Sequence, residues 1–218
     1  MLSGPAPDSR APGGSSASRR DYRARVGSQE VALPVVELSA DLSIALLVTV
    51  DQSLAFMAQA GRELAELLVP AGVEVVATAA TMGLPVAVEV SRVLGKDGYL
   101  VLHKTPKIHL RDALVEPLRS ITTGPVQHLR LDRARVHCVS GRRVAFVDDV
   151  VSTGSSAAAA VSLLRRAGAE VVAIAALLSE TEAWRATLGD DAHLVRTLGA
   201  IPVFRPRSDG STDEDWTG

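Results

Sequence analysis

The sequence predicts an α/β fold, a parallel twisted sheet flanked by helices, on three observations. Strand-like and helix-like segments alternate along residues 21–204. Val171 to Leu178 (VVAIAALL) is apolar without a polar alternate, as expected of a strand covered on both faces. Val144 to Val147 leads directly through a polar loop into an alanine-rich segment, and strand, helix, strand in this order implies right-handed crossovers and parallel pairing.

The elements follow in chain order. Residues 1–20 are rich in Gly, Pro, Ser and Ala, have almost nothing to bury, and are expected to be disordered. Val31 to Leu38 and Ile44 to Val50 are strand-like. A helix is predicted from Asp51, a good N-cap, because Leu54, Met57, Gly61, Leu64 and Leu68 recur at steps of three and four; Pro70 and Gly72 stop it. Val73 to Ala77 reads as a strand. Pro85 to Leu94 reads as a helix with proline in its first turn and Gly95 beyond its end. Tyr99 to Leu102 is a short strand, and Ser156 to Ala167 is a helix closed by Gly168. The tail from residue 205 carries Asp213, Glu214 and Asp215 and is expected to be a solvated, disordered acidic segment.

Composition narrows the function. The 218 residues carry a formal charge of −2, which argues against a nucleic-acid clamp, since such a surface needs a basic face to displace counterions. Only three lysines occur, Lys96, Lys104 and Lys107, and two of them lie close together. No uncharged apolar run is long enough for a membrane span, and the first 20 residues lack an apolar signal-peptide centre; a soluble, cytoplasmic protein with no membrane partner is the expectation. Cys138 is the only cysteine and reads as a small hydrophobe. No CxxC or HExxH spacing is present for zinc.

In a parallel α/β sheet, ligands bind outside the carboxyl ends of the strands. Three loops qualify: Thr78 to Gly83, Asp148 to Ser155, and Ser179 to Thr181. The densest segment is VAFVDDVVSTGSS, residues 144–156. Its run Ser152, Thr153, Gly154, Ser155 and Ser156 opens a helix, whose backbone N–H groups and hydroxyls can surround a phosphate at the positive helix end. Gly154 permits close backbone approach. Asp148 and Asp149 would repel that phosphate, so they must face another part of the ligand; ribose hydroxyls or hydrated magnesium suit them. A sugar phosphate with free hydroxyls satisfies the whole loop. No P-loop and no GxGxxG after a strand competes with it.

VAFVDDVVSTGSS resembles the signature of type I phosphoribosyltransferases, which implies a Rossmann-like fold with a small hood region that binds phosphoribosyl pyrophosphate (PRPP) with Mg2+. The resemblance covers about Tyr22 to Phe204, marking residues 21–204 as that domain, and lies nearest the adenine and xanthine branch. TAATMGLPVAVEVSRVLG (78–95) is similar to its pyrophosphate loop and following helix, HKTPKIHLRD (103–112) to its basic segment, and RSITTGPVQHLRL (119–131) to its mobile catalytic loop.

The resemblance implies that Asp148 and Asp149 hold the ribose hydroxyls and the metal. It makes Asp148, Asp149, Val150, Val151, Ser152, Thr153, Gly154, Ser155 and Ser156 the ribose-phosphate segment, and gives Thr81, Met82 and Gly83 to the pyrophosphate. Lys104 and Lys107 would neutralise charge on the leaving group, an electrostatic role. The implied reaction is transfer of the 5-phosphoribosyl group from PRPP to a purine, adenine foremost, in purine salvage. A homodimer is implied, and the base pocket would lie under Leu33 to Leu42 and part of Thr105 to Leu118.

Two stretches depart from the family pattern. Ala80 and Met82 stand where an acid and a cation are usual, and Thr122 and Thr123 precede Gly124 where the adenine enzymes often carry Glu-Tyr. His103 replaces a common Arg; His109, His128, His137 and His193 are given no ligand role. The alternative is a PRPP-binding regulatory protein with little or no transferase activity. A transferase for a non-purine base is a third reading. Regulators of that kind carry a winged helix ahead of this domain, and residues 1–20 are too short and polar for one, so the enzyme is preferred.

Overall fold

The computed structural model describes residues 20–110, 112–118, 127–207 and 211–217. In chain order the strands are β1 (Asp21–Val26), β2 (Gln29–Ser39) and β3 (Leu42–Ala45), then helix α1 (Leu54–Leu68), β4 (Val75–Ala79), α2 (Gly83–Val93) and β5 (Tyr99–Leu102). They continue with β6 (Ala113–Pro117), β7 (His128–Asp132), β8 (Arg143–Val151), α3 (Ser155–Arg166), β9 (Glu170–Glu180), α4 (Trp184–Leu188), β10 (Val195–Ile201), β11 (Val203–Pro206) and β12 (Thr212–Asp215).

The central sheet has the order β10-β9-β8-β4-β5, and every neighbour pair is parallel. Its residues are apolar on both faces for a reason visible in β8. Ala145 and Val147 face a core formed with Leu64, Val86 and Val90 of α1 and α2. Val144 and Phe146 face a second core with Val161, Leu163 and Leu164 of α3. The strand order reverses between β4 and β8: the chain proceeds from β4 outward to β5, then returns to β8 on the other side. That reversal opens a crevice at the carboxyl ends of β4 and β8, the place where such sheets take ligands.

A second, antiparallel sheet, β1-β2-β3-β11-β12, forms the hood, and β6-β7 is a hairpin. No helix among the described residues is long and apolar enough to cross a membrane.

Several boundaries differ from the sequence expectation. The strand at Ile44 to Val50 ends at Ala45, and Thr49–Asp51 is a 3-10 turn. Asp51 is therefore not the cap of α1; Ser53 is, accepting the Phe56 N–H at 3.1 Å. Helix α2 starts two residues before Pro85, which still lies in the first turn, where a missing N–H costs nothing. Strand β8 continues through Asp148 and Asp149 to Val151, held by pairing with β9 as far as Val151 with Ser179.

The acidic tail is also corrected. Residues 212–215 form β12 against β11, because Asp215 pairs with Arg205 at 2.7 Å and Asp213 pairs with Arg207; the acids meet arginines rather than solvent alone. Of the N-terminal segment expected to be disordered, residues 1–19 lie outside the described residues.

Candidate functional site

The three loops expected to bind a ligand do converge at the carboxyl ends of β4, β8 and β9. After β8 the chain makes a tight turn at Gly154, whose φ of +78° is a conformation that side-chain-bearing residues rarely adopt. A Cβ there would lie 3.1 Å from the Trp184 carbonyl oxygen and 3.2 Å from Thr187 Cβ, so α4 also closes on this turn. Helix α3 begins at Ser155 with its first N–H groups directed into the loop. The Thr153 hydroxyl donates to Ser155 Oγ at 3.0 Å.

Phe146, Asp148 and residues 150–157 line a cavity of about 80 Å³ at this point. That is far below the roughly 300 Å³ of a whole small-molecule pocket, and suits one anionic group at a helix N-terminus.

Asp148 is buried beside that cavity, and its Oδ1 accepts the Asp149 N–H at 3.1 Å. Burial, then the neighbouring Asp149 carboxylate, push Asp148 well above the ordinary carboxylate range, and Lys104 partly offsets this. Asp149 is raised too, by burial, with the hydrogen bond to Asp148 easing it. Two carboxylates disfavoured in their charged form gain most from a ligand that brings hydroxyl donors or a divalent cation. Among the described residues no group of three His, Cys, Asp or Glu could hold a metal unaided. The donor set fits Mg2+, which commonly takes one or two carboxylates, waters and substrate phosphate oxygens.

The loop after β4 is fixed from both sides. Ala80 N–H donates to Leu102 O at 3.0 Å, and the peptide between Ala80 and Thr81 is cis. The buried Thr49 hydroxyl donates to Met82 O at 2.5 Å. Gly83 sits so close to the aspartates that a Cβ would lie 2.2 Å from Thr78 Oγ1 and 2.7 Å from Asp148 Oδ1. Thr81, Met82 and Gly83 are thus brought against the Asp148 loop, while Met82 supplies no cation.

The sequence-predicted residues separate on inspection. Lys104 lies within electrostatic range of both aspartates, and Lys107 is exposed at the entry to a 3-10 turn, Ile108–Leu110. Val151 is buried in the α3-side core, so only its backbone can face a ligand. Val150 packs against the other core. The Ser152 hydroxyl, expected on a phosphate, instead donates to a Glu180 oxygen. Residues 119–126 of the expected mobile loop lie outside the described residues.

Two residues at the site were missed from sequence. Glu180 ends β9, is 8% exposed, and is raised above the usual carboxylate range by burial. Its signal was a carboxylate closing an apolar run inside a loop already marked as ligand-facing. Arg130 comes from β7, which bridges to His103 through two 2.9 Å backbone hydrogen bonds; its guanidinium donates to the Lys104 carbonyl at 3.0 Å. Arg130 falls in the segment likened to the mobile loop, and the return of the hairpin is what places it beside Lys104.

Known proteins resemble this chain in sequence and in fold. An adenine phosphoribosyltransferase of Methylorubrum extorquens is 38% identical over 86 residues, 38% of this chain and 48% of that protein. One from Streptomyces galbus is 44% identical over 64 residues, 29% of this chain and 32% of that protein. The chain thus matches about half or less of the length of these curated relatives.

Among solved structures, the adenine phosphoribosyltransferase of Rhodothermus marinus superposes with a TM-score of 0.54 at 25% identity, covering 66% of this chain and 78% of that one. The Saccharomyces cerevisiae enzyme does so with 0.56 at 17%, covering 82% and 93%, a likeness of fold. The sequence profile of the phosphoribosyl transferase domain matches residues 53–198, from the cap of α1 into β10 and across every loop of the crevice. On that match, the chain belongs to the phosphoribosyl transferase domain family.

Proposed function

We propose that this protein transfers the 5-phosphoribosyl group of PRPP to a purine, with adenine as the foremost acceptor, giving a nucleoside monophosphate and pyrophosphate. The observation that carries the reading is the pairing, at the sheet's switch point, of a phosphate-sized cavity at the start of α3 with the buried Asp148 and the half-buried Asp149 beside it. The 5′-phosphate would sit on Ser152 to Ser156, through backbone N–H groups and the hydroxyls of Thr153, Ser155 and Ser156. Asp148 and Asp149 would accept the ribose hydroxyls and hold Mg2+ together with the substrate. Mg2+, when bound, supplies charge neutralisation for the pyrophosphate. Thr81, Met82 and Gly83 would offer backbone to that leaving group, with Lys104 and, from farther out, Lys107 and Arg130 as cations.

In the reaction, the bond from C1 of the ribose to the pyrophosphate oxygen breaks, its electron pair leaves with pyrophosphate, and a base nitrogen forms the new bond to C1. Positive charge on the sugar at the transition state needs no covalent nucleophile, and the buried carboxylates near the ribose help to stabilise it. A homodimer in the cytoplasm belongs to the same reading, by analogy with the family.

Incubation of the protein with PRPP, Mg2+ and each purine base, followed by nucleotide detection, tests this. AMP formation from adenine is expected. PRPP binding without product from any base would replace the transferase with a PRPP-binding regulator, and no PRPP binding at all would remove both readings.

A further inference from the structure

At the opposite end of the same strands lies a cavity that the proposed reaction does not use. It has a volume of about 510 Å³ and opens where β4 and β5 begin, walled by residues 95–98 after α2 and by the 3-10 segment Arg133–Cys138. Counting about 3.3 Å per residue along β4, it sits roughly 15 Å or more from the Asp148 loop.

Its lining is charged in an uneven way. Lys96, Arg135 and Arg142 line it, together with His137. None of the three makes a side-chain hydrogen bond or ion pair within the described residues, although nine other arginines of the chain do form ion pairs. Lys96 is half-buried without a counter-charge. Of the two acids in the wall, Glu74 already accepts the Arg143 N–H at 2.9 Å. The floor is apolar, from Val75, Tyr99 and Leu100.

We propose that this cavity binds a phosphorylated small molecule of mononucleotide size. Two guanidinium forks and an ammonium without internal partners match the oxygens of a phosphate, for which arginine is geometrically suited. The Tyr99 and Leu100 floor suits a flat ring, and Asp97 offers an acceptor to ring or amino N–H groups. The volume lies within the range of small-ligand pockets. A long polyanion is disfavoured, because the chain as a whole carries a charge of −2 and the cations are gathered in a concavity. The proposal is independent of the transferase reading.

The cavity carries its own reporter, since Cys138 lines it and is the only cysteine of the chain. The alkylation rate of Cys138 by iodoacetamide is measured on the full chain with increasing AMP, against NaCl at matched ionic strength. A saturable slowing of fivefold or more with AMP, and none with NaCl, is expected. The double variant Arg135→Glu/Arg142→Glu, whose two sites are exposed, is expected to keep the wild-type melting temperature and lose the AMP protection. Calorimetric titration of AMP should correspondingly lose one binding event in that variant. Equal protection in wild type and variant would overturn the proposal, as would an AMP-insensitive rate; a failed transferase assay would leave it standing.

Discussion

Gly83→Ala is the substitution for which the structure gives the most definite forecast. The new methyl carbon would lie 2.2 Å from Thr78 Oγ1, 2.7 Å from Asp148 Oδ1 and 3.3 Å from Val147 O. Thr78 is fully buried, so its side chain has no open space to retreat into, and Asp148, 8% exposed, could move only toward the small cavity it lines. The first contact falls about 1 Å short of ordinary van der Waals separation, and overpacking of this kind costs about 1–3 kcal/mol. Alanine recovers at most about 1 kcal/mol of helix propensity, and less at the first residue of α2.

The expected net loss is about 1–2 kcal/mol, or roughly 2–8 °C in melting temperature for a chain of this size. Function should suffer more, because displacing a ligand-contacting group by about 1 Å can cost on the order of 100-fold. Gly98→Ala is the control: nothing lies within 4 Å of its Cβ position, and a change within about 0.5 kcal/mol is expected. Urea unfolding with titration of PRPP and Mg2+ reads both effects. If Gly83→Ala binds PRPP within twofold of wild type and unfolds as Gly98→Ala does, the close approach of α2 to Asp148 is not what shapes the site.

Four further outcomes are expected. Burial raises Asp148, Asp149 and Glu180, so between the ordinary carboxylate range, about pH 4, and their raised values the folded chain holds more protons than the unfolded one, and their contribution to stability falls as pH climbs through that window. Asp148→Asn should therefore melt higher than the ligand-free wild type at neutral pH, with the gap closing toward pH 4 and PRPP binding lost; calorimetry across pH reads the gap, and one that widens on acidification would contradict the sign. Gly154→Ala should cost about 1 kcal/mol or more through its φ of +78° and the contact with Trp184, and weaken PRPP binding measured by titration. Ser152→Ala removes the hydroxyl that Glu180 accepts, which should cost about 1–2 kcal/mol in urea unfolding, with Glu180→Gln in the same background restoring part of it. Lys104→Ala should lower kcat/KM for PRPP more than Lys107→Ala does in steady-state assays, because Lys104 alone of the two acts on the aspartate pair; an equal loss would place Lys107 at the site as well.

The sheet and its helices were readable because β8, β9, α1 and α3 carry long apolar patterns with clear stops, and a strand buried on both faces has no polar alternate to confuse with a loop. Asp148, Asp149 and the Ser-Thr-Gly run stood out for a related reason: they interrupt such a pattern within a few residues, so local sequence alone holds them together. Less was readable in the hood. Strands β1, β11 and β12 are short and rich in charge, and in β12 the register sets Asp213 opposite Arg205, so that Arg205 reaches diagonally to Asp215 and Arg207 to Asp213.

The sequence by itself determined the parallel α/β architecture, the phosphate loop at the start of α3 and the carboxylate pair before it, since each rests on residues adjacent along the chain. Tertiary structure decided what those residues face. It turned the Ser152 hydroxyl to Glu180, brought Arg130 to the Lys104 carbonyl and tied Met82 to Thr49. It also separated two of the lysines: Lys104 lies within electrostatic range of the aspartates, while Lys96 lines a separate cavity at the other end of the strands. Contacts between residues tens of positions apart depend on strand order and register, and a linear pattern does not encode the distance between side chains that only the closed sheet brings together.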